Sequence, residues 1–117
     1  MSSPRYRIDL ILPNGTVVPL EVDEGTFILD AAREAGLELP YRCLQGWCVT
    51  CAGQVENGSA ACCVDQSASL RYYPQDAEGG FVLLCTARPK ADCRIRTHQA
   101  PALRAFRRRR RLPTPLA

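Results

Sequence analysis

Two stretches near the start of the chain alternate apolar and polar residues with a period of two. Tyr6, Ile8, Leu10 and Leu12 interleave with Arg5, Arg7 and Asp9, and Val18, Leu20 and Val22 alternate again behind them. That period belongs to half-buried strands. Pro13-Asn14-Gly15 between them is a turn signal, so the pair predicts a β-hairpin. Pro19 has no backbone N–H for a ladder, which places the second strand at a sheet edge. The pattern then changes period. Ile28, Ala31, Ala32 and Ala35 recur at i, i+3, i+4 and i+7, the apolar stripe of a helix lying on a sheet. Thr26 is its expected N-cap, Asp23 and Glu24 suit its positive end, and Gly36 suits the C′ position that ends it. Further strands are expected near 53–56, 81–84 and 92–97. Hairpin, helix and later strands together predict a small α+β domain.

The character changes at Ala100-Pro101. From Arg104 the chain carries six arginines and no acid, a balance of +6, whereas residues 1–103 carry nine basic and twelve acidic groups, a balance of −3. The formal net charge of +3 therefore hides a mildly acidic body joined to a cationic end. Like charges in a block repel, so residues 101–117 are expected to be a basic, disordered tail after a domain spanning 1–100. At 117 residues the chain suffices for a single core. It has no apolar run near the ~20 residues that span a bilayer. Met1-Ser2-Ser3 leads straight into a strand pattern, so no leader is expected. There are no internal repeats, no phosphate loop and no paired carboxylates beside a nucleophile.

Chemistry enters with the cysteines. Cys43, Cys48 and Cys51 are spaced C-x4-C-x2-C, and Cys85 follows after 33 residues. This is the ligand pattern of a plant-type 2Fe–2S centre, with three thiolates from one loop and the fourth from a distant strand. Gly46 gives the loop freedom to curl its amides toward the cluster. Structural zinc is the first alternative, but zinc sites usually arrive as two close-spaced pairs and Cys85 has no such neighbour. Disulfides are the second. Seven cysteines is an odd number, and thiolate ligation points instead to a reducing, cytoplasmic compartment.

The flanks carry a resemblance. Leu39-Pro40-Tyr41-Arg42-Cys43, Cys51-Ala52-Gly53-Gln54-Val55, Asp65-Gln66-Ser67, Gly80-Phe81-Val82-Leu83-Leu84-Cys85 and Thr97-His98, in that order, resemble the plant-type ferredoxins over roughly Tyr6 to His98. The resemblance implies a β-grasp fold with one main helix on a mixed sheet, and one 2Fe–2S cluster held by Cys43, Cys48, Cys51 and Cys85. It implies that Cys43 and Cys48 hold the outer iron, where the added electron settles, and Cys51 and Cys85 the inner one. The implied role is a soluble one-electron carrier, not an enzyme, with a potential of about −400 mV. Redox proteins such as a reductase, a photosystem or an acceptor enzyme would be its partners. It would be a monomer without a small-molecule substrate, cytoplasmic or, alternatively, in a plastid stroma.

Several positions depart from the family's pattern. Arg42 replaces a serine, Trp47 a small residue and Val49 a hydroxyl residue, while Thr50 keeps the usual type. Trp47 reads equally as packing or as an aromatic partner anchor. About four extra residues fall near Ala60-Ala61-Cys62-Cys63. Cys62, Cys63 and Cys93 lie outside the motif and read first as small buried residues, then as redox-active thiols. The family's aromatic after Asp-Gln-Ser is Ala68 here, leaving Tyr72 or Tyr73 as substitutes. His98 reads as structural rather than as a ligand. The alternative function is an iron–sulfur redox or iron sensor whose run Arg104–Arg111 binds an acidic partner, a membrane surface or nucleic acid. Phe106 is the single aromatic in that run, a poor base-stacking segment.

Overall fold

The computed structural model describes residues 4–40, 49–56, 60, 63–70 and 72–112. The predicted hairpin forms from β1 (Arg5–Ile11) and β2 (Val17–Asp23), which pair antiparallel with Ile8 opposite Leu20 and Leu10 opposite Val18. Its turn closes through Gly15 N–H donating to the Leu12 carbonyl at 2.9 Å, and Gly15 adopts φ +89°, a left-handed conformation open to glycine. Three more strands complete the main sheet: β3 (Ala52–Val55), β5 (Phe81–Leu83) and β7 (Cys93–Arg96). The order is β2-β1-β7-β3-β5, with β1 and β7 parallel and the other neighbours antiparallel. Pro19 thus sits on an edge strand, where its missing N–H costs nothing. Two short strands, β4 (Val64–Asp65) and β6 (Arg88–Pro89), pair separately.

The first helix, α1 (Ile28–Glu34), starts one residue later than expected: Phe27 is the N-cap and no side chain caps it. Its buried face is also rotated. Ile28, Leu29 and Ala32 are buried, while Ala35 is exposed. The end is as read, because Gly36 takes φ +84°. Leu37 N–H then donates to the Ala32 carbonyl at 2.9 Å and Gly36 N–H to that of Arg33 at 3.0 Å, which is a Schellman closure. The core beneath α1 comes from the inward positions Ile8, Leu10, Val82 and Ile95, all fully buried. The observed α+β order and five-stranded mixed sheet agree with the expected β-grasp class.

The expected disordered tail is corrected by the structure. Residues Ala100–Arg109 form helix α3, and the described backbone continues to Leu112. Charge counting misjudged this segment because it treated every arginine as solvated. Leu103 and Phe106, three apart, bury the apolar side of α3, and Phe106 packs on Phe81 with ring centroids 5.2 Å apart. Arg107 is fully buried and so is its partner, Asp76 in the short helix α2 (Pro74–Glu78). The guanidinium donates from Nη2 to Asp76 Oδ2 at 2.7 Å and from Nε to both carboxylate oxygens at 3.2 Å. It also lies 4.9 Å from the centre of the Tyr73 ring, and Asp76 Oδ2 accepts the Tyr73 N–H at 3.0 Å. Arg108, Arg109, Arg110 and Arg111 stay exposed at the end of α3, where the helix dipole favours cations. Of the range 101–117, residues 113–117 lie outside the described residues.

Two stability outcomes follow. Asp76→Ala strands a buried guanidinium, so chemical denaturation should show a loss of about 3–5 kcal/mol. Removing residues 100–117 should likewise destabilise the body, and a truncated chain with unchanged stability would contradict this packing. Gly53→Ala is the second. A Cβ there would lie 2.8 Å from Ile95 Cγ2 and 2.9 Å from the Arg96 carbonyl oxygen. Because one of those atoms is backbone, the strand must shift, at about 1–3 kcal/mol.

Candidate iron–sulfur site

Strand pairing brings two of the four expected cysteines together. Cys51 immediately precedes β3, and Cys85 lies in the 3₁₀ turn Leu84–Thr86 that follows β5. These strands are antiparallel neighbours with Ala52 opposite Leu83, so the chain enters one and leaves the other at the same end of the sheet. Leu84 N–H donates to the Cys51 carbonyl at 3.4 Å, which extends the ladder to the cysteines. Both residues are buried, and their Sγ atoms are 3.3 Å apart. A disulfide bond would be about 2.05 Å. Metal–thiolate bonds of about 2.3 Å in tetrahedral geometry place two sulfurs about 3.8 Å apart, close to what is seen. Two buried sulfurs at this separation, at one end of a hydrogen-bonded ladder, fit one iron of a cluster.

Cys43 and Cys48, with Arg42, Gly46 and Trp47 between and beside them, lie outside the described residues. Among the described residues no three metal-binding side chains converge, since two of the four expected ligands are not among them. Val49 is fully buried, and the Ala52 N–H donates to its carbonyl at 3.0 Å in the turn leading to β3. Of the other cysteines, Cys63 is buried in the core and Cys93 is half-buried, as their first reading held, while Cys62 lies outside the described residues.

Behind Cys85 stands a polar group that sequence reading missed. Gln66 Oε1 accepts the Leu83 N–H at 2.6 Å. Its Nε2 faces the Ser69 hydroxyl at 2.8 Å and the Thr86 hydroxyl at 3.4 Å. Ser69 Oγ and Thr86 Oγ1 are 2.6 Å apart, and Thr86 Oγ1 is 3.9 Å from Cys85 Sγ. Gln66 was noticed as part of the Asp-Gln-Ser resemblance; nothing in the local sequence ties Ser69 to Thr86, 17 residues on.

Tyr72 and Tyr73, read as docking aromatics, are engaged within the fold. The Tyr72 hydroxyl donates to the Phe81 carbonyl at 2.5 Å, and burial pushes its ionisation well above the ordinary tyrosine range. Tyr73 lies against Arg107. The exposed apolar side chain here is Leu70, at 67% exposure. His98 is exposed in a left-handed conformation, φ 59°, with Nδ1 2.8 Å from the Thr97 hydroxyl, in keeping with a structural role.

The model of the 2Fe–2S iron–sulfur cluster binding domain matches residues 11–90, so the chain belongs to that family. It is 39% identical over 99 residues to the vegetative ferredoxin of Trichormus variabilis, covering 84% of this chain and 96% of that one. It is 44% identical over 99 residues to the heterocyst ferredoxin of a Nostoc species, with the same coverage. Against ferredoxin-6, chloroplastic, of Zea mays it is 40% identical over 94 residues, covering 80% of this chain and 58% of that one. Among solved structures, pectocin M2 superposes with a TM-score of 0.72 at 30% identity, covering 84% of this chain and 34% of that protein. The chain thus spans about a third of that structure's length. Family and relatives together make this a β-grasp protein with one 2Fe–2S cluster, an electron carrier and not an enzyme. No helix among the described residues is long and apolar enough to cross a membrane.

The loop that follows β4 generates an acid-stability prediction. The Ser67 backbone N–H, at 2.8 Å, and the Ser67 hydroxyl hold the Asp65 carboxyl below the usual carboxylate range, with Arg88 helping. A depressed folded pKa contributes stability above the unfolded value and loses it as pH falls through the folded one. The stability gap between wild type and Asp65→Ala should therefore be present at neutral pH and narrow below about pH 4. A gap that stays constant on acidification would refute the assignment.

Proposed function

We propose that the protein is a one-electron carrier of low potential, about −400 mV, whose cluster is held by Cys43, Cys48, Cys51 and Cys85. The observation carrying this reading is the buried 3.3 Å approach of Cys51 and Cys85 sulfurs at the end of the β3–β5 ladder. The C-x4-C-x2-C loop just before β3 supplies the remaining pair. The cluster contributes one-electron redox chemistry. The chain contributes thiolates, a rigid sheet end and a dry wall behind Cys85.

Its partners are redox proteins, and their docking surface is of acidic character. Exposed arginines 108–111 support this: among the described residues none of them forms an ion pair, while six of the body's acidic groups do. The protein acts as a cytoplasmic monomer.

Anaerobically purified protein should contain about two irons and two acid-labile sulfides per chain. It should cycle reversibly by one electron. Cys43→Ala, Cys48→Ala, Cys51→Ala and Cys85→Ala should each abolish the stable cluster, whereas Cys62→Ala, Cys63→Ala and Cys93→Ala should retain it. Stoichiometric zinc, or a cluster that survives Cys51→Ala with an unchanged spectrum, would overturn the ligand set.

A further inference from the structure

The backbone orients the first member of the polar group behind Cys85. The Leu83 N–H can only donate, so the atom it meets at 2.6 Å is the acceptor Oε1 of Gln66. The amide NH₂ of Gln66 must then face Ser69 and Thr86. Gln66 Nε2 donates to Ser69 Oγ at 2.8 Å, and this occupies the serine oxygen as an acceptor. Ser69 Oγ and Thr86 Oγ1 are 2.6 Å apart and either hydroxyl can be the donor; with the Thr86 proton turned toward Cys85, Ser69 is the donor. With Ser69 donating, the Thr86 oxygen is an acceptor and its own O–H turns away from Ser69. Two groups lie in reach: the Leu83 carbonyl at 3.5 Å, which also accepts from Gln66 Nε2 at 3.3 Å, and Cys85 Sγ at 3.9 Å, which as a thiol donates to Thr86 but as an iron ligand has no proton and can only accept. An ionised sulfur outcompetes a shared carbonyl, since bonds to a charged acceptor are roughly twice as strong.

We infer that Gln66, Ser69 and Thr86 form a hydrogen-bond relay ending on the Cys85 thiolate, and that Thr86 is a positioning residue that raises the cluster's reduction potential. The inference rests on Cys85 being a ligand. Thr86 is 3% exposed, so water does not substitute for its hydroxyl. Each donor to sulfur stabilises the reduced, more negative state over the oxidised one. Polarisation along the relay strengthens its last bond. Arg88 braces the loop that carries Ser69, because its Nη2 donates to Ser67 Oγ at 3.0 Å and to Asp65 Oδ2 at 3.3 Å.

The test compares holoprotein variants by spectroelectrochemical midpoint potential and by the Fe–S(Cys) stretching bands in resonance Raman spectra. Thr86→Val keeps the shape and removes the hydroxyl; its equilibrium constant for reduction should fall about three- to tenfold, the upper figure being about 59 mV for one electron. Thr86→Ser restores the donor and should return the potential to wild type. Ser69→Ala, at a half-buried position, should shift it the same way by a smaller amount. A Thr86→Val potential equal to wild type, or Thr86→Ser shifted as far as Thr86→Val, overturns the relay. If Thr86→Val does not fold, wild-type potential in Ser69→Ala overturns it and a negative shift there upholds it. Cys85→Ala separates the two claims: an intact cluster in that variant refutes the ligand, while loss of the cluster with an unmoved Thr86→Val potential refutes the relay alone.

Discussion

The pairing of β3 with β5 is the constraint on which the rest of the molecule depends. Three residues of each strand, Ala52 to Gln54 and Phe81 to Leu83, fix the ends of two chain segments that are far apart in sequence. One segment arrives from the cysteine loop and the other departs into Cys85. Their sulfurs meet because the ladder leaves them nowhere else to go. Loop closure over 33 residues would otherwise be entropically costly, and the sheet absorbs that cost once for fold and site together.

The outer edge of β5 shows how tightly the sheet and the site are joined. An edge strand exposes N–H and C=O groups that invite pairing with another chain. Here side chains cover them. Gln66 meets the Leu83 N–H and carbonyl, and the Tyr72 hydroxyl meets the Phe81 carbonyl. Gln66 therefore has two tasks, closing a strand edge and orienting the hydroxyls behind Cys85. Tyr72 is spent on the same edge, which removes it from the partner surface and leaves Leu70 as the apolar contact nearby.

What was legible in the sequence is what depends on short-range pattern. The hairpin, its Gly15 turn, the edge position of Pro19 and the Gly36 stop each follow from residues within a few positions of one another. The cysteine motif stands out in the sequence because a cluster demands a fixed spacing, and the structure brings Cys51 and Cys85 together. Illegible features depend on pairs far apart. Arg107 finds Asp76 across 31 residues, and Ser69 finds Thr86 across 17. The rotation of α1 is a milder case: alanine stripes are ambiguous, and burial went to the bulkier Leu29 instead of Ala35.

The arginine run shows most clearly why composition misleads. Read as a string, residues 107–111 are five equal charges that should repel one another into solvent. A helix makes them unequal. Arg107, four residues after Leu103, is the one of the five that is buried, whereas Arg110, on the same face by period, lies past the last residue of α3 and packs over the Phe106 ring. Its burial is tolerable because its partner Asp76 is itself oriented by the Tyr73 N–H. A buried charge with a preset partner is a device for specificity more than for stability, since an apolar pair could fill the same space. It selects a single seat for α3, and the other arginines then project from a fixed place on the surface. The body's own acidic groups at the hairpin and β7 are engaged locally, with Asp9, Asp23 and Glu56 each paired to an arginine of the sheet. The cationic end of α3 is therefore left without an internal counterweight among the described residues, and its field is directed outward.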